Sequence, residues 1–74
     1  MSQAELEAII RIQHSKIVEI LNCPMQIGDS AVMRHEAIMA HVAPARVAFT
    51  ALAHVIGLEA AIDRWALILG EVYA

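Results

Sequence analysis

The sequence predicts an all-α fold. It reads as three helices, about 3–22, 30–42 and 44–73, in one domain spanning 1–74, with a long amphipathic third helix and a helical homodimer as the assembly. Three observations carry this: a small, apolar, alanine-rich composition; cap and proline signals that bound the helices; and an apolar seam near the C-terminus. Seventy-four residues allow one domain. A chain this short buries only about 60% of the surface it exposes when unfolded, so its core needs help. Yet 59% of the residues are hydrophobic and only 18% are charged. That surplus exceeds what so small an interior holds, and uncovered apolar patches mark interfaces. Self-association is the first expectation.

Helix 1 opens on a capping box. Ser2 is followed three residues later by Glu5, so each side chain is placed to satisfy a free backbone N–H of the other. Leu6, Ile9, Ile10, Gln13, Ile17, Ile20 and Leu21 then recur on one face. Pro24 disfavours helical geometry at Cys23 and sets the end near Asn22. In "NCPMQIGDS", Asn22, Pro24 and Gly28 are turn residues, and Asp29 or Ser30 caps helix 2. Pro44 is expected to break that helix after Val42 and to open helix 3, with a kinked continuous helix as the alternative.

Helix 3 is read from its seam. Ala48, Ala51, Val55, Leu58, Ile62, Trp65, Leu69 and Val72 follow alternating steps of three and four, in unbroken phase across Gly57. No Ser, Thr or Asn stands where a new cap would be due, so the helix is expected to run through Gly57. A stop at Gly57, with Leu58 as its hydrophobic contact, is the alternative. Thirty helical residues span about 45 Å, more than a compact chain of this size covers, and a second copy is the simplest cover for the rest.

The chemistry-bearing residues form no catalytic constellation. His14, His35, His41 and His54 are spaced 21, 6 and 13 apart, and helical metal sites use three or four. No metal and no cofactor are expected. Cys23, the only cysteine, has no histidine placed beside it, allows no intrachain disulfide and suits a reducing cytosol. The chain is therefore expected to be cytoplasmic and not an enzyme. Its net charge of −3 and five scattered basic residues give no nucleic-acid footprint, and a helix–turn–helix reading of residues 29–54 offers too few base-reading side chains. The acidic "MSQAELEAII" is not a signal peptide pattern. The longest uncharged run, Val47 to Leu58, is 12 residues, short of the roughly 20 that a membrane span needs.

What remains is binding. Val55, Leu58, Ile62, Trp65, Leu69 and Val72, with Phe49 and Ile56 beside them, are the expected dimer or partner interface. Met25, Met33 and Met39 suit an adaptable apolar surface, and Met33, Met39, Phe49 and His54 are the residues of a candidate ligand pocket. Glu59 and Asp63 are like charges one turn apart that would suit a basic partner surface, or Arg64 of another chain. The leading expectation is a small non-enzymatic module that docks on a second protein and inhibits or regulates it. Small antagonists carried by phages and mobile elements share this size and make-up, an analogy of class with no motif behind it. The alternatives are a small-ligand or cofactor bundle and a structural dimerisation subunit.

Overall fold

The computed structural model describes residues 1–24, 28 and 30–74. Their architecture is all-α with three helices: α1 (Gln3–Asn22), α2 (Ala31–Ile56) and α3 (Leu58–Val72). The capping box of α1 forms in both directions. The Glu5 N–H donates to Ser2 Oγ at 3.2 Å, and the Ser2 N–H donates to Glu5 Oε1 at 3.1 Å. Cys23 takes an extended backbone ahead of Pro24 and ends the helix. Ser30 caps α2 by accepting from the Met33 N–H at 3.1 Å, whereas Asp29 lies outside the described residues.

The two internal boundaries differ from expectation. Pro44 does not break the helix, and the segments expected at 30–42 and 44–73 are redivided. α2 runs through Pro44 for 26 residues and ends at Ile56. The proline removes one backbone bond, to the Ala40 carbonyl, at a typical cost of about 3 kcal/mol. Packing against α1 offsets this: after the proline Ala45, Ala48 and Leu52 are buried with Leu6, Ile10 and Ile17 of α1, and before it His41 bonds Gln13.

The break falls at Gly57, at φ 89°, ψ 153°. That region of backbone space is almost closed to residues with a Cβ. Gly57 serves both helices at once. Its N–H donates to the Ala53 carbonyl, closing α2, and its own carbonyl accepts from the Ala61 N–H, opening α3, both at 2.9 Å. No side-chain cap is needed, which is why the missing Ser, Thr or Asn gave a false lead. α3 folds back along α2 and brings Phe49 and Trp65, each eight positions from Gly57, into edge contact, with ring centroids 6.2 Å apart.

The seam therefore does not act as one stripe. The core is Leu6 and Ile10 from α1, Ala48 and Leu52 from α2, and Ala61 and Ile68 from α3. On α3 the buried positions sit one residue away from the expected Ile62 and Leu69. Leu58 at 61% exposure, Val55 at 55% and Ile62 at 47% are largely open, and Trp65 is only partly covered. Leu69 and Val72 are half-buried.

α3 has 15 residues and reaches back over little more than half of α2. The first turns of α2 have only α1 beside them, and the molecule is long and thin, 45 × 22 × 17 Å. Kept whole through Pro44, α2 is long and apolar enough to cross a membrane by length and composition, its most apolar 18-residue window averaging a hydropathy of 1.3. Every such window in α2 includes Arg46, and an arginine near the middle of a bilayer costs about 2.5–3.5 kcal/mol on insertion scales.

An added Cβ at Gly57 would meet nothing within 4 Å, so any cost of substitution lies in the backbone alone. Gly57→Ala is expected to lower the stability of the chain by about 1–3 kcal/mol in urea unfolding, with the far-UV signal of the folded state unchanged. A stabilised variant would instead mean that α2 and α3 form one helix.

Candidate functional site

The helices are positioned by a polar rail between α1 and α3. Glu7, Arg11 and His14 recur at helical spacing on α1 and meet Arg64, Glu71 and Tyr73. The numbers rise together, so the two helices run parallel. Glu7 is buried, 7% exposed, under thin cover from its own partners. Its Oε1 accepts from Arg64 Nε at 3.0 Å and Nη2 at 2.6 Å, and its Oε2 accepts from Gln3 Nε2 at 2.8 Å. Arg11 Nη2 donates to Glu71 Oε2 at 3.1 Å, in solvent. His14 Nδ1 and the Tyr73 hydroxyl are hydrogen-bonded at 3.0 Å, with the rings edge to face. Across the α1–α2 contact, His41 Nδ1–H donates to Gln13 Oε1 at 2.8 Å, and Arg34 bonds the Cys23 carbonyl.

Beside this rail lies an apolar groove of ≈ 420 Å³, lined by His14, Val42, Ala45, Arg46, Phe49, Ile62 and Trp65. All three helices contribute to it. It arises because Gly57 returns α3 at a register where Phe49 and Trp65 meet at their edges, which leaves Ala45 as a low floor beyond them. Its volume falls within the usual range for ligand or side-chain pockets. Polar groups enter only from His14 and Arg46.

The structure divides the residues singled out from the sequence. It brings Phe49, Ile62 and Trp65 together in the groove. Ile56, Leu69 and Val72 are half-buried, Ile56 and Val72 against the core. Val55 and Leu58 are exposed on either side of the Gly57 break. The pocket read from Met33, Met39, Phe49 and His54 does not assemble. Met33 lies near the N-terminal end of α2, in a cleft of ≈ 570 Å³ with Glu19, Ile20, Cys23, Pro24, Ser30, Arg34 and Ala37. His54 is 21 residues further along the same helix, about 30 Å away, with Arg46, Val47, Thr50 and Ala51. Met39 is exposed between them, and Met25 lies outside the described residues. Sequence reasoning missed Val42, Ala45, Arg46 and His14 as groove residues. Val42 and Ala45 flank the proline that had been read as a helix boundary, and His14 arrives from another helix.

Among the described residues, no group of three or more His, Cys, Asp or Glu is placed to hold a metal ion. Cys23 is free and exposed. Arg64, one candidate partner for Glu59 and Asp63, is engaged by Glu7. No protein-family model, curated protein or solved structure matches the chain.

Three groups on the rail titrate away from their ordinary ranges; Arg64 is raised by its hydrogen bonds to Glu7, and the other two are Glu7 and His14. The hydrogen-bonded Arg64 guanidinium holds the Glu7 carboxyl low, burial opposes it, and Gln3 reinforces it. A lowered carboxylate pKa gives stability that is present above the unfolded value and lost as pH falls through the folded one. Acid should therefore weaken the α1–α3 contact below about pH 4.3. Glu7→Gln is expected to cost about 1 kcal/mol at neutral pH and to flatten that acid limb in denaturation followed against pH. An unchanged limb would rule Glu7 out as its source.

Burial pushes His14 down. Its neutral form is favoured in the fold, so stability is complete above the ordinary imidazole value of about 6.5 and falls as pH drops from there through the folded pKa. Proton NMR titration of the His14 ring should give a midpoint below that value. A midpoint at or above it would contradict the burial account.

Proposed function

We propose that this chain is a small non-enzymatic protein-interaction module that works as a helical homodimer and docks on a second protein to inhibit or regulate it. The observation that carries the reading is surface left uncovered by folding. A compact monomer of this mass exposes roughly 4,500 Å². This chain exposes 5005 Å². Its radius of gyration is 13.8 Å, against about 11 Å for a compact chain of this length. Among the described residues, thirteen large hydrophobic ones stand at 38% exposure or more, Trp65 and Ile62 in the groove and Val32, Met33 and Met39 along α2 among them. Apolar surface on that scale is what partner-binding helices present. The reading keeps the chain in the cytoplasm, without a membrane span, nucleic acid or cofactor. Phage or mobile-element origin stays an analogy of size and composition.

A second reading, a small-ligand bundle, draws on the groove volume of ≈ 420 Å³. The two separate in one comparison. Tagged wild-type chain and the surface variants Met33→Asp and Trp65→Ala are used as bait in cytoplasmic extract, with quantitative mass spectrometry. The docking reading expects one protein enriched by the wild type and lost with at least one variant. Failure of any protein to pass that test, together with a rise in melting temperature with a small apolar ligand, would replace it with the ligand reading.

A further inference from the structure

One ionisable ring touches three parts of the molecule. His14 rises from α1, and its Nδ1 is hydrogen-bonded to the Tyr73 hydroxyl at 3.0 Å. Tyr73 closes the C-terminal end of α3, its N–H donating to the Leu69 carbonyl. The same imidazole lines the groove with Val42, Ala45, Phe49, Ile62 and Trp65. It is half-buried.

A proton on this ring finds no anion in the groove. Among the described residues, no carboxylate lines it, and its other ionisable lining residue, Arg46 of α2, is a cation. On α1, Arg11 one turn earlier is also a cation, and the Glu71 carboxylate of α3 is bonded to it. Lys16 of α1 is exposed, and His41 of α2 is bonded to Gln13. From α3 the ring meets the uncharged Tyr73 hydroxyl. Water is what balances an imidazolium in such a place, and an apolar group seated in the groove displaces water from that wall. Burial already pushes the ring down from its ordinary value. Further cover pushes it the same way.

We propose that His14 makes the groove an acid-sensitive docking site, which holds an uncharged apolar side chain of the bound protein while the ring is neutral and releases it on protonation. By linkage, the factor by which protonation weakens the occupant is the factor by which the occupant weakens protonation. Docking is complete above the ring's titration range and weakens as pH falls through it, the sign that follows when the bound state favours the neutral form. The inference rests on the interaction-module reading and adds the regulation of one of its faces.

Indole is the probe, because it is small, apolar and uncharged like the side chain it replaces. It is titrated into the full chain by NMR at about pH 7.5 and about pH 5, both above the Glu7 acid limb. The signals of Phe49, Ile62 and Trp65 report the groove. Their indole dissociation constant is expected to rise at least about fivefold at the lower pH. Saturating indole should lower the His14 midpoint. His14→Gln, uncharged at both pH values and able to bond Tyr73, should bind indole equally at both. Binding that ignores pH, a pH dependence that survives His14→Gln, a His14 midpoint unmoved or raised by indole, or groove signals that never shift would each overturn the proposal. The midpoint measurement uses the wild-type chain, so it decides even where the variant fails to fold. Protein capture through Trp65 that is equal at both pH values would leave the docking reading standing and this inference fallen. An acid-released indole with no protein captured would do the reverse.

Discussion

One backbone conformation at Gly57 holds the rest of the structure in place. At φ 89° and ψ 153° the chain reverses within a single non-helical residue, and the same residue closes one helix and opens the next. Any L side chain there pays a conformational penalty that glycine avoids. Without that reversal Ala61 and Ile68 would never face Leu6, Ile10, Ala48 and Leu52, and no three-helix core would exist. The register of the groove, set by Phe49 against Trp65, follows from the same point.

The core itself is small, and two of its six residues are alanines, Ala48 on α2 and Ala61 on α3. Small residues let helices approach closely but bury little apolar surface each. Polar contacts along the edge therefore fix what the core leaves loose. Glu7 locks to Arg64 near the start of α3, Arg11 meets Glu71 near its end, and His14 holds Tyr73 beyond it. Of these only the Glu7 carboxylate is covered; its partner Arg64 is as open to water as Arg11, so screening reduces both ion pairs. Arg46, beside the groove, forms no ion pair among the described residues.

Apolar surface that a longer chain would bury internally is left facing outward here. α2 is nearly apolar all round, and α3 is too short to cover it. The groove and the thin end of α2 are the two consequences. The first is walled by Phe49, Ile62 and Trp65 with Arg46 at its side; the second presents Val32, Met33 and Met39.

The sequence by itself determined the all-α class, the capping box of α1, the end of α1 before Pro24 and a cap for α2 at Asp29 or Ser30, because each depends on residues within a turn of one another. It also established that apolar residues outnumber the places to bury them. It did not determine where the long segment after Ser30 divides. The three-four spacing from Ala48 to Val72 is as regular across two helices joined by one glycine as along a single helix, so periodicity cannot tell them apart. Likewise Pro44 carries a helix-breaking penalty that a neighbouring helix can offset, and sequence does not reveal the neighbour. Only the tertiary structure decided that Gly57 turns and Pro44 does not, that Ala61 and Ile68 point inward in place of Ile62, and that His14 joins Arg46 across three helices. Those choices are settled by which faces α1 can cover, a long-range packing energy that no local pattern records.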